Sequence, residues 1–156
     1  MNTDRHTTEF SIRYAVRSHD RRSALWGRVA AFLKFMSIFS GSASIMSVIG
    51  SHPDAATALG LIFASFQALE YTLSPNEKMY ESLAQRRGYA GLYANSRNLS
   101  DDELSACYLK LVSEDETKIS IAIKELAYND VVREQGLDES YCYPSKHSLR
   151  QHFEFT

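Results

Sequence analysis

Few of the residues that commonly carry chemistry stand at spacings that would let them act together. His147 and His152 are five apart, and a zinc-binding pair on one helical face needs a spacing of about four. Cys107 and Cys142 have no metal-ligand spacing around them, so reduced thiols are expected. Asp101-Asp102-Glu103 could gather a cation, but carboxylates at a helix start, where they favour the positive end of the macrodipole, explain the cluster more simply. Arg86-Arg87 could hold a phosphate or an anionic lipid headgroup, and a pair of arginines just past an apolar run is also an ordinary topology signal. There is no phosphate-binding glycine loop and no nucleophile elbow. The expectation is a protein that is not an enzyme, with no catalytic residue, no cofactor and no metal.

The elements that would position these residues are organised around Arg28 to Leu73. Two apolar runs, 29–50 and 55–73, flank the polar break Ser51-His52-Pro53-Asp54. As helices they would be about 33 and 28 Å long, close to the roughly 30 Å hydrocarbon core of a bilayer. The overall hydrophobic fraction is an ordinary 44%, so any membrane content has to be concentrated in this stretch. A chain of 156 residues suits one domain, and a net charge of -2 gives no reason to expect nucleic acid. The fold class expected is all-α. Residues 1–28 form a basic N-terminal helix, 29–73 a transmembrane hairpin, and 74–156 a cytosolic helical region.

Charge sets the orientation of such a hairpin. Arg5, Arg13, Arg17, Arg21, Arg22 and Arg28 precede it, its turn has no Lys or Arg, and Lys78, Arg86, Arg87 and Arg97 follow it. Positive residues stay inside, so both termini are expected in the cytoplasm, with Arg21, Arg22, Arg28, Arg86 and Arg87 as candidate interfacial contacts to anionic lipid. Trp26 and Tyr71 fall where interfacial aromatics belong. The segment EFSIRYAVRSHDRRS reads as a basic amphipathic helix, either lying on headgroups or a partner or simply solvated.

Within the runs, Ser37, Ser40, Ser44, Ser47 and Ser51 repeat at spacings of 3, 4, 3 and 4. Thr57, Gly60, Ala64, Gln67 and Tyr71 do the same in the second run. Each set spans an arc of roughly 80°, and the phenylalanines largely take other faces. Two matching seams suggest two packed helices, or a serine face that lines a pore. Lys34 and Glu70 come level when the hairpin is folded about its centre, which makes an intramembrane ion pair possible; otherwise each snorkels alone.

Beyond the hairpin, Ser74-Pro75-Asn76-Glu77 carries a capping-box signature for a helix through KMYESLAQRRGYAGLYANSR, ending over Asn95 to Leu99. Ser100-Asp101-Asp102-Glu103 and Ser113-Glu114-Asp115-Glu116 repeat it. The last long helix, with Ile119, Ile123, Leu126 and Ala127, stops at Gly136, where a left-handed cap is natural. The tail reads as a docking arm.

The stretch RRSALWGRVAAF, the two-span hairpin, ALEYTLSPNEKMYESLAQRRGYAGLYANSR and KELAYNDVVREQGLD together resemble the SLATT family, the SMODS- and SLOG-associating two-TM effector proteins of bacteria. The likeness runs from about Arg13 to about Phe153 and rests on architecture and loose patterns. It implies a membrane effector of a bacterial conflict system, of anti-phage or abortive-infection type, and carries no set of catalytic residues. The implied partners are the lipid bilayer of the inner membrane, further copies of the chain, and a separate nucleotide-sensing or nucleotide-producing protein. The alternatives are a membrane-anchored helical adaptor without pore activity and a soluble helical-bundle interaction protein.

Overall fold

The computed structural model describes residues 5–40, 50 and 53–144, with side chains at 40, 53–56, 58 and 59 left outside that description. The expectations for Ser44, Ser47, Ser51, His147 and His152 therefore fall outside the described residues, as does the side chain of Ser40. Every long element is a helix, and no strand occurs among the described residues. In order they are α1 (Arg5–Ser40), α2 (Pro53–Leu73), α3 (Pro75–Asn95), a 3-10 turn (Ser96–Asn98), α4 (Asp101–Glu114), α5 (Ile121–Glu134) and a second 3-10 turn (Glu139–Tyr141). The chain is all-α.

It divides into two compact units, one made of Met1–Ala24 with Met79–Thr156 and one of Leu25–Lys78. α1 belongs to both. It has no proline and runs unbroken for 36 residues, about 54 Å, through the point where the basic segment was expected to give way to the first apolar run.

In the first unit, Ile12, Tyr89 and Leu104 form the buried centre, with Ala15, Val16, Leu92, Tyr93, Leu99, Tyr108 and Leu111 packed around it. Ile12 comes from α1, Tyr89 from α3 and Leu104 from α4, so one cluster joins three helices. α5 buries Ala122, Ile123, Leu126, Ala127, Val131 and Val132 at helical spacing. The ring of Tyr128 meets Phe10, Tyr14 and Tyr143 edge-on at centroid distances of 5.5, 6.5 and 5.1 Å. Next to it the Asn129 side chain donates to the Tyr143 carbonyl at 3.0 Å and accepts from the Tyr143 amide at 2.8 Å. One amide thus satisfies both backbone groups of a tail residue.

Three expected helix starts have different outcomes. Ser100 caps α4 in a full capping box: its hydroxyl accepts from the Glu103 amide, and the Glu103 carboxylate accepts from the Ser100 amide at 2.9 Å. Those bonds hold the Glu103 carboxyl below the usual carboxylate range. Ser74 does something else. Its φ is 42°, a left-handed conformation uncommon outside glycine, its amide donates to the Glu70 carbonyl, and its hydroxyl donates to the Tyr71 carbonyl. With one residue between α2 and α3, Ser74 closes the helix before it, while Pro75 opens the next. Nor does Ser113 start a helix: α4 continues to Glu114, Ser113 donates back to the Lys110 carbonyl, and α5 begins seven residues later under Ser120. At the far end of α5, Gly136 has φ +66° and Leu137 donates to the Val132 carbonyl, the left-handed stop expected there.

Candidate functional site

In the unit Leu25–Lys78, α1 turns Ala30 and Leu33 inward, and Ser37, four residues on, is half-buried on the same side. Phe32, Phe35, Ile38 and Phe39 are exposed, Phe35 and Ile38 at 62% and 68%. On α2 the inward residues are Phe63, Phe66, Glu70 and Leu73, all partly buried, and the Phe66 ring meets Phe32 edge-on at 6.0 Å. Thr57, Gly60, Ala64, Gln67 and Tyr71, expected to share one face of this helix as a seam or pore lining, are all exposed in the single chain. A Cβ added at Gly60 would meet nothing within 4 Å. Leu61, Ile62 and Leu69 add to the exposed apolar surface.

Two charges, Lys34 and Glu70, lie within the apolar runs of this unit. Lys34 is exposed and Glu70 half-buried, and among the described residues no ion pair joins them. Lys78 Nζ sits 4.4 Å from the centre of the Trp26 ring, a cation-π contact beside the residue expected at a membrane interface.

In the other unit the arginines of α1 are bound to protein. Arg5 donates to Asp101 at 2.7 Å and to the carbonyls of Ser96 and Leu99. Arg13 donates to the Tyr93 hydroxyl with its guanidinium over the same ring. Arg17 pairs with Glu134, and Arg21 grips Asp130 with two bonds of 2.6 and 2.8 Å. Arg22 is buried and donates to Ser82 at 2.7 Å and Glu81 at 3.2 Å. Arg86 Nε lies 2.9 Å from Asp20, close enough for an ion pair although the contact is not aligned as a hydrogen bond. The expected lipid contacts Arg21, Arg22 and Arg86 therefore have carboxylate partners inside the unit, while Arg28 and Arg87 are exposed. The basic helix is neither simply solvated nor free along its length.

Its polar centre is His19, 1% exposed and stacked 5.6 Å from the Tyr89 ring. His19 Nε2 lies 2.9 Å from Asp115 Oδ2, and the Tyr89 hydroxyl donates to the same oxygen at 3.4 Å. Burial lowers the His19 pKa more than the attraction of Asp115 raises it, and nearby Arg22 opposes protonation further. The ring is therefore neutral at neutral pH, with Nε2–H as the donor, and Nδ1 is buried without a hydrogen-bond partner. For Asp115, burial pushes its pKa up, but bonds from Thr117 and the His19 contact outweigh that and leave it lowered. Burial, with Asp115 adding to it, raises the Tyr89 phenol. No sequence spacing marks this cluster, because Tyr89 and Asp115 are 70 and 96 residues from His19. The only local hint was a histidine inside a helix of arginines.

Cys107 and Cys142 are free thiols. Among the described residues no group of three His, Cys, Asp or Glu could hold a metal, and no helix is long and apolar enough to cross a membrane. No family model, curated protein or solved structure matches this chain.

Proposed function

We propose that the chain is a two-helix membrane effector of a bacterial conflict system. In this reading residues 29–50 and 55–73 enter the inner membrane as a hairpin with both termini cytoplasmic. Copies self-associate, and a nucleotide-linked partner protein triggers loss of the membrane barrier. The observation that carries it is the outward display of Phe32, Phe35, Ile38, Phe39, Leu61, Ile62 and Leu69 within a single unit, a surface that water does not favour. The outward side of Gly60 and Ala64 leaves room for a second helix to approach closely.

Carbonate extraction of membranes tests insertion: retention in the pellet is expected, and release to the supernatant would remove the basis for the hairpin. Overexpression tests the effector role, with hairpin-dependent depolarisation expected. The serine face is tested by Ser40→Leu and Ser44→Leu in liposomes, where impaired assembly indicates packing and lost flux with intact assembly indicates lining. Unchanged assembly and flux would exclude both roles.

A second reading is favoured by outward Gln67 and exposed Lys34, polar groups on the displayed surface. In it, protein rather than lipid covers the Leu25–Lys78 surface, and the chain is a helical interaction module. Release by carbonate with recovery of a stoichiometric complex supports that reading.

A further inference from the structure

The geometry points to a binding site for a compact phosphate-bearing anion in the cleft that α1, α3 and the end of α5 enclose. The cleft has a volume of about 290 Å3 and is lined by Arg13, Arg17, Arg86, Ala90, Tyr93 and Glu134 among others. Three arginines thus line one small volume that has a single acidic residue in its wall. Asp20 pairs with Arg17 at 3.8 Å and with Arg86 at 2.9 Å, and even counting it with Glu134 against the three arginines leaves one positive charge uncompensated.

The donors are available as well as charged. A guanidinium has five N–H groups in a planar fork. The recorded contacts use Nη2 of Arg13, Nη1 and Nη2 of Arg17 and Nε of Arg86, so each keeps donors in reserve. The side chains of Arg17 and Arg86 are each 42% exposed, which leaves them open to a solute. A phosphate group offers several oxygens that match such forks bidentately, and does so better than a singly charged halide.

Size narrows the class. Small-molecule pockets run from about 300 to 1,000 Å3, so this cleft lies at the lower end and suits inorganic phosphate or a short phosphomonoester. The Arg13 guanidinium already covers a face of the Tyr93 ring, which weakens the case for a stacked aromatic ligand. Glu134 acts as an internal competitor, since its bond to Arg17 is one that an incoming phosphate would replace. All these residues belong to the unit formed by Met1–Ala24 and Met79–Thr156, so the inference does not depend on whether the other unit enters a bilayer.

The test is thermal melting of the full chain, purified in detergent, titrated with inorganic phosphate while chloride holds the ionic strength constant. A saturable rise in Tm is expected with phosphate and not with chloride alone. Arg86→Gln should weaken apparent phosphate affinity roughly tenfold, the order expected for losing one charged hydrogen-bonding partner. Glu134→Gln should strengthen it several-fold, and Arg97→Gln, exposed and outside the cleft, should leave it unchanged. No saturable phosphate response, or the same response in all variants, overturns the site. Should Arg86→Gln fail to fold, Glu134→Gln decides alone, because unchanged or weaker phosphate binding in that variant is the opposite of what the cleft requires. Sedimentation with phosphatidylcholine vesicles, with and without phosphatidic acid, then identifies the source of the phosphate. Phosphatidic-acid-dependent retention that Arg86→Gln reduces assigns a lipid headgroup; retention equal in both proteins, with phosphate binding intact, assigns a free solute.

Discussion

The two units are built from the same kind of helix and differ in how much of their apolar side-chain surface they bury. In the unit of Met1–Ala24 and Met79–Thr156, Ile12, Leu104, Ala127, Val131 and Val132 are fully buried, and polar groups that go inside bring partners with them: Arg22 has Ser82 and Glu81, His19 has Asp115. In the unit Leu25–Lys78, Ala30, Leu33 and Pro75 are buried among the described apolar side chains, while Phe35, Ile38 and Leu61 are more than half exposed. The first unit carries its own buried core; the second has a seam and leaves much of its described apolar surface exposed. A stability measurement and an association measurement should therefore respond to different residues.

The largest expected effect is on the self-contained core. Leu104→Ala removes a fully buried side chain where three helices meet and should cost about 2–5 kcal/mol, read as a fall in Tm or denaturation midpoint. A loss under about 1 kcal/mol would mean that the core is far looser than its burial indicates. Next is Arg22→Ala, which strips Glu81 and Ser82 of a buried donor. Since the Glu81 side chain is 43% exposed and can rehydrate, a loss of about 1–3 kcal/mol is expected, below that of a fully buried pair.

A smaller effect is a pH dependence centred on His19. Above its ordinary value of 6.5 the ring is neutral in both folded and unfolded chains, and its contribution is complete. As the pH falls below that value, the unfolded chain takes up a proton that the buried ring resists, so stability is lost on acidification. Asp115, Arg22 and Glu81 are the charged groups that act on the ring. Melts from pH 7.5 to 5.5 should show a declining Tm, and His19→Asn should flatten that decline. A slope unchanged in the variant would assign the titration elsewhere. Asp115, held below 3.8, adds its own acid loss only at lower pH.

The smallest expected effect on stability is the most informative about the comparison. Phe35→Ser with Ile38→Ser alters exposed side chains and should change the Tm of the first unit by less than about 0.5 kcal/mol equivalent. The same pair should abolish carbonate-resistant membrane retention or self-association. A large loss of stability without any change in association would show that the two units do not divide their roles in this way.

Local signals were legible in the sequence to the extent that they close over a few residues. The Ser100–Glu103 box and the Gly136 stop are complete within four or five positions, and both were readable. The helix expected after Ser74 does start at Pro75, although the Ser74 hydroxyl turns back to the Tyr71 carbonyl; Ser113 sits where α4 is still running, and its hydroxyl turns back to the Lys110 carbonyl. Small-residue periodicity on α2 marks a face without saying which way that face turns; in the single chain it is exposed, and Phe63 and Phe66 are partly buried. Partner choice was the least legible of all. Five arginines at helical spacing were visible, but their acceptors at Glu81, Tyr93, Asp101, Asp130 and Glu134 are distributed over three helices, and no spacing rule connects them.

The 109-residue separation between Arg21 and Asp130 has a consequence in time. A ribosome adding about 5–20 residues per second needs roughly 5–20 s to make that stretch, far longer than a helix takes to form. Throughout this interval the start of α1 has been synthesised while the acids on α5 that hold it have not. Ile12, His19 and Arg22 must wait, uncovered, for the second half of their unit. The chain between them is residues 25–78, so that unit is synthesised in full before the distant carboxylates that hold the N-terminal arginines exist.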